Sequence, residues 1–102
     1  MVHHNRQYRN RIQIAADILE IAENGSRKTR IMYLGNLSFD LVQKYLNLLL
    51  KSGLIEVQDK GERTYHLTER GRRFLEDFHE FRKYEEAAQS KRRALENSLP
   101  TR

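Results

Sequence analysis

Four polar residues, Gln43, Lys44, Asn47 and Lys51, follow one another at spacings of one, three and four. On a helix, at about 100° per residue, such spacing lays them along one side. Their chemistry is recognition rather than bond making. A Gln or Asn amide sets a donor beside an acceptor, the pattern an adenine edge accepts, and a Lys ammonium reaches guanine O6 or N7. Lys28, Thr29 and Arg30 stand where a helix begins. Unpaired N–H groups and partial positive charge at such an end suit a phosphate. Ser38 has the same opportunity, although its hydroxyl can be used up as a cap. Lys60 and Arg63 flank Gly61 in a turn that also carries Asp59 and Glu62, which dilute their charge.

The first sixteen residues hold Arg6, Arg9 and Arg11 and no acid. Such a terminus can follow a minor groove as a basic arm, or it can simply be a frayed, soluble end. The net charge is +5, a sign that phosphate attracts and that also serves solubility.

Other chemistries find little support. With no cysteine there is neither a disulfide nor a thiolate metal site, which fits an intracellular protein. His3, His4, His66 and His79 lack metal-ligand spacing. Glu85 and Glu86 are neighbours that point apart on a helix. No glycine-rich phosphate loop and no nucleophile with its base is visible, so no enzyme, cofactor or small-molecule ligand is expected. No apolar run approaches the ~20 residues that span a membrane, and no secretory leader is visible. The expected location is the cytoplasm, with the nucleoid.

The elements that must hold these residues are legible. Ile12, Ala15, Ala16, Ile18, Leu19 and Ala22 recur at helical spacing from about Tyr8 to Asn24, with Ile14 and Ile21 widening the stripe. Gly25 stops that helix. Ser26 is expected to cap a short second helix from Arg27 to Leu34, ended by Gly35. After Asn36 and Leu37, Ser38 caps a third helix from Phe39 to Ser52. Leu41, Val42, Tyr45, Leu46 and Leu49 make its buried side, with Phe39 and Leu50 at the margin. Asp40 joins the polar residues on the other side. Tyr33 and Tyr45 can be read as base-stacking platforms, but Tyr45 belongs to the buried side. Two short helices joined by a tight turn, the second amphipathic, form a helix-turn-helix. Ile55 and Val57, then Tyr65 and Leu67, alternate with polar residues as two short strands. Gly61 turns between them within Asp59–Arg63.

Thr68 caps a last helix that runs to about Asn97, near 44 Å at ~1.5 Å per residue. Gly71 in its first turn suggests close backbone packing. Phe74, Phe81, Ala88 and Leu95 are spaced by seven, and so are Phe78, Glu85, Arg92 and Leu99. This is a heptad seam. Two antiparallel copies crossing near residues 88 and 89 would set Glu85 against Arg92 twice. A parallel pair would oppose like charges, so the antiparallel pair is expected.

Lys28-Thr29-Arg30-Ile31-Met32-Tyr33, Asn36-Leu37-Ser38-Phe39, Lys44-Tyr45, Gly53-Leu54-Ile55 and the segment from Tyr65 to Gly71 carry a family likeness. The chain resembles small archaeal winged-helix DNA-binding proteins whose final helix forms an antiparallel coiled-coil dimer. They sit within a broader winged-helix class of predicted transcriptional regulators. The Lys-Thr-Arg-Ile-Met-Tyr string is fairly specific, whereas the Gly-Leu-Ile and Tyr-x-Leu-Thr-x-x-Gly pieces recur across winged helices. The resemblance covers about Gly25 to Leu75 and implies a dimer with a DNA-reading unit at each end of a rod. Asp40 departs from a purely phosphate-seeking face and favours sequence reading, since Asp accepts from cytosine N4.

The expectation is therefore a mostly α protein with a small β-hairpin. Residues 1–68 form a winged helix-turn-helix and residues 69–102 a dimerisation helix. The expected partners are double-stranded DNA and a second copy, and the expected role is transcriptional regulation. Weakly selective packaging of the chromosome is the alternative use of DNA, and a protein-docking module is the alternative class.

Overall fold

The computed structural model describes residues 9–101. Four helices and one hairpin follow in the order α1 (Arg11–Ile21), α2 (Lys28–Gly35), α3 (Phe39–Lys51), β1 (Ile55–Lys60), β2 (Glu62–Leu67) and α4 (Glu69–Asn97). The core lies where α1, α2 and α3 meet the hairpin. Ile18, Leu19, Ile31, Val42 and Leu46 are fully buried there. Ile14 is buried and Ile12 is half exposed, so the buried face of α1 is rotated from the spacing-based expectation.

Helix α1 starts three residues later than its apolar stripe suggests. Asn10 caps it by accepting from the Gln13 N–H at 2.9 Å. Ser38 caps α3 as expected, accepting from the Leu41 N–H at 3.1 Å. Asn36 turns the chain between α2 and α3 in the left-handed region, at φ 55°. Gly35 therefore closes α2 as its last residue, and Asn36 performs the reversal.

Ser26 does not cap α2, which has no side-chain cap. Its hydroxyl donates to the Ile21 carbonyl at 2.8 Å, at the end of α1. Its backbone exchanges two hydrogen bonds with Tyr65, at 2.8 and 3.0 Å. The α1–α2 connection thus adds a single rung to the open edge of β2, clipping the hairpin to the helices. A two-stranded hairpin alone is at best marginal in water, and this clip is one of its supports.

The hairpin itself is longer than expected. Asp59 pairs with Arg63 and Lys60 with Glu62, so the ladder continues to the tip. Only Gly61, at φ +85°, makes the turn.

Thr68 joins three elements. Its N–H donates to the Leu54 carbonyl, its hydroxyl donates to the Gly53 carbonyl at 2.7 Å, and the same oxygen accepts from the Gly71 N–H at 3.0 Å. The end of α3 is therefore tied directly to the start of α4. Gly71, Leu75 and Phe78 on α4 are buried. The core thus continues past residue 68 into the first three turns of the last helix. Beyond Arg82 every described residue is exposed, and the molecule extends 63 Å along its longest axis against 26 and 21 Å across.

Candidate nucleic-acid interface

The outer side of α3 is set by what its inner side buries. Val42, Tyr45, Leu46 and Leu49 fill the core, leaving Lys44, Asn47 and Lys51 exposed. Tyr45 is 7% exposed, which assigns it to packing. Helix α4 packs on α1 and β2.

Three side chains across two helices form one network. The Lys28 ammonium donates to Gln43 Oε1. Gln43 Nε2 in turn donates to Asn47 Oδ1 at 3.2 Å. Lys28 also sits 4.1 Å from the centroid of the Phe39 ring, a cation–π contact. Gln43 is consequently half-buried and spends both ends of its amide inside the network, whereas Asn47 keeps its own N–H donors.

A second cluster was not foreseen. Arg11, Lys44, Tyr45, Asn47, Leu48 and Lys51 line a shallow groove of about 350 Å³. Tyr45 and Leu48 supply apolar lining, and three cations, Arg11, Lys44 and Lys51, share the groove with them. Arg11 comes from the first turn of α1, far away in sequence, and no local pattern marks it as a neighbour of Lys44.

Arg9 does something else. Its guanidinium donates to Asp17 at 2.8 Å and to the carbonyls of Gly35 and Asn36 at 2.9 and 3.3 Å. It braces the α2–α3 turn, a role that neither reading of the basic terminus, groove-tracking arm or frayed end, gives it. Arg6 lies outside the described residues, as do His3 and His4.

Thr29 and Arg30 are exposed at the start of α2. Ser38 has its hydroxyl oxygen engaged as the cap of α3. Asp40 occupies the first turn of the same helix, where an acid suits the helix dipole. At the hairpin, Lys60 and Arg63 are exposed and each faces an acid across the ladder. Arg27 reaches Glu62 at 3.2 Å and links the start of α2 to the hairpin tip. Tyr33 is 82% exposed. His66 bonds to Thr64 and His79 to Glu20, each at its own site.

The proposed seam on α4 needs correction. Phe78 is 7% exposed and belongs to the core of its own chain, with Phe74 packed partly against that core. Phe78 is therefore closed to a second copy, and Phe74 is partly covered. Phe81, Tyr84, Leu95 and Leu99 remain exposed. Within the helix Glu85 pairs with Arg82 and Arg92 with Glu96, at 3.6 and 3.8 Å. Ala88 is exposed between them.

The family model described as winged helix-turn-helix matches residues 8–86. The chain belongs to the winged helix-turn-helix family. Among solved structures, this winged helix protein is similar to Sso10a-2, a DNA-binding protein from Sulfolobus solfataricus. The TM-score is 0.83 with 29% identity, covering 92% of this chain and all of that one. A relative from the archaeon Methanocaldococcus jannaschii, an uncharacterised protein, is 35% identical over 78 residues. The match covers 74% of this chain and 77% of the relative. A MarR family transcription regulator shares the fold at a TM-score of 0.69 and 19% identity, over 84% of this chain and 60% of that one. The expected winged-helix architecture and the likeness to archaeal DNA-binding proteins are both borne out.

Proposed function

We propose that this winged helix protein binds double-stranded DNA as a homodimer and regulates transcription, reading the major groove with α3. The observation that carries this reading is the free outer side of α3. Lys44, Asn47 and Lys51 are exposed there, Arg11 joins them, and the last helix packs on α1 and β2. The similarity to Sso10a-2, named as a DNA-binding protein, and to MarR-type regulators points the same way. Thr29 and Arg30 supply phosphate contacts at the start of α2, and Lys60 and Arg63 supply them from the hairpin. The setting that follows is the cytoplasm, on the nucleoid. Among the described residues no helix is long and apolar enough to cross a membrane.

The second copy docks on α4. The end of α4, residues 83–97, is exposed on every side, and helices in proteins draw most of their stability from packing an apolar face. Phe81, Tyr84, Ala88, Leu95 and Leu99 fall within an arc of about 60° at ~100° per residue. An antiparallel crossing just beyond Ala88 sets Tyr84 of one copy beside Leu95 of the other, twice. Glu85 then stays within a turn of Arg92 of the other copy. Residues 69–102 thereby act as the dimerisation helix, although their first turns also serve the core.

The test is duplex binding at several salt concentrations, followed by selection from a randomised duplex pool. Neutralising Lys44 or Lys51 should each flatten the salt dependence by about one unit. Enrichment of a defined motif supports a regulator. Binding without enrichment turns the reading towards chromosome packaging. Binding unchanged by the loss of Lys28, Arg30 and Lys44 turns it towards a docking module.

A further inference from the structure

We propose that Phe39 is a specificity residue that reads the C5-methyl group of a thymine in the major groove. The inference rests on the DNA-binding reading above.

Phe39 is the first residue of α3 and is 60% exposed. Its position at the margin of the apolar stripe predicts partial burial, yet the core closes on Val42 and Tyr45 without it. With 60% of its surface exposed, the Phe39 ring adds little to the core of its own chain. It is held in place all the same. The Lys28 ammonium lies 4.1 Å from the ring centroid and donates to Gln43, one turn further along. Gln43 then bonds to Asn47, a turn beyond that. Phe39, Gln43 and Asn47 occupy one edge of α3 at four-residue spacing. One cation thus aligns an apolar group with two amides on the face assigned to base reading.

The major groove supplies a narrow choice of partners. Each base pair presents hydrogen-bonding atoms there, and among the four bases only thymine adds a methyl group, at C5. A reading helix enters with its N-terminal residues against the base edges, and Phe39 is the outermost of these. A ring pressed on a polar edge would strip water from atoms that it cannot bond. A ring pressed on the thymine methyl loses nothing and buries both. Lys28 is then a positioning residue for the ring, in addition to any phosphate that it meets.

Replacing thymine by uracil removes that methyl and leaves base pairing intact. A site is first selected with the unaltered chain, and each thymine in it is then replaced singly by uracil. At one position affinity should fall about fourfold, the worth of one buried methyl at about 0.8 kcal/mol. Phe39→Ala should bind the thymine and uracil duplexes equally. Phe39→Leu should keep part of the preference.

The inference is overturned if the unaltered chain is indifferent to uracil at every position, or if the selected site contains no thymine. It is equally overturned if Phe39→Ala keeps the discrimination. The uracil comparison needs no variant, so it stands even if a substitution disturbs folding. Salt-dependent binding of random duplex by the unaltered chain separates the two levels. Without it the DNA reading itself falls. With it, indifference to the methyl removes this inference alone.

Discussion

The carbonyl oxygen of Leu54 lies against the α-carbon of Gly71, where an added Cβ would come within 2.1 Å of it. The chain between α3 and β1 is in this way pressed onto the first turn of α4. Thr68, bonded to Gly53 and capping α4 through the Gly71 N–H, locks the same junction. The direction in which α4 leaves the core is set here.

Gly71→Ala should therefore destabilise the protein. Alanine gains about 1 kcal/mol in helix propensity, but the obstructing atom is backbone and cannot swing aside. The expected net loss is about 2 kcal/mol, read as a lower midpoint in urea. A raised midpoint would show that the junction yields freely.

Arg9 and Arg11 should separate cleanly. The Arg9–Asp17 pair is mostly buried, with 15% and 25% of the two side chains exposed. Arg9 also bonds to two carbonyls of the α2–α3 turn. Arg9→Ala should cost about 1–3 kcal/mol of stability and leave the salt dependence of duplex binding alone. Arg11→Ala should change stability by less than about 0.5 kcal/mol and flatten the salt dependence by about one unit. Melting curves and salt titrations on both variants decide it. The reverse pattern would return Arg9 to the DNA.

Asn36 holds a positive φ of 55°, a conformation that asparagine and glycine accept more readily than other residues. Asn36→Ala should lower stability by about 1 kcal/mol, while Asn36→Gly should be close to neutral. Equal melting temperatures for the two variants would mean that the turn relaxes out of the left-handed region.

Phe78 and Leu95 should fail in different ways. Phe78→Ala empties a core site and should cost about 3–5 kcal/mol whatever the protein concentration. Leu95→Glu should leave the core intact and convert the proposed dimer to monomer, with loss of helix in residues 83–97. Sedimentation and far-ultraviolet circular dichroism across a dilution series distinguish them. A Leu95→Glu protein that sediments as the unaltered chain does would remove the α4 seam.

Elements whose cause is local were legible in the residues. Ser38 and Thr68 bond as caps because the relevant N–H lies three residues away. The buried face of α3 followed from spacing, since Val42, Tyr45, Leu46 and Leu49 return to one side in any helix. Gly61 was recognisable as a turn because its neighbours alternate on both sides. The polar side of α3 was likewise visible, and Lys44, Asn47 and Lys51 are exposed as expected.

What escaped the sequence was decided between elements distant along the chain. Ser26 reads as a cap, but the edge of β2 lies beside it and its backbone pairs with Tyr65 instead. Arg9 and Arg11 are alike in a basic terminus, yet one faces the α2–α3 turn and the other the groove on α3. Phe78 fits a heptad as well as Phe81 does. Only the docking of α4 on α1 and β2 buries the first and leaves the second open. Period and capping chemistry act over three or four residues, so the chain alone determined its helices, its hairpin and the polar side of α3. Which of several equivalent side chains is buried, braced or left facing outward depends on neighbours brought up by folding, and the tertiary structure alone decided that.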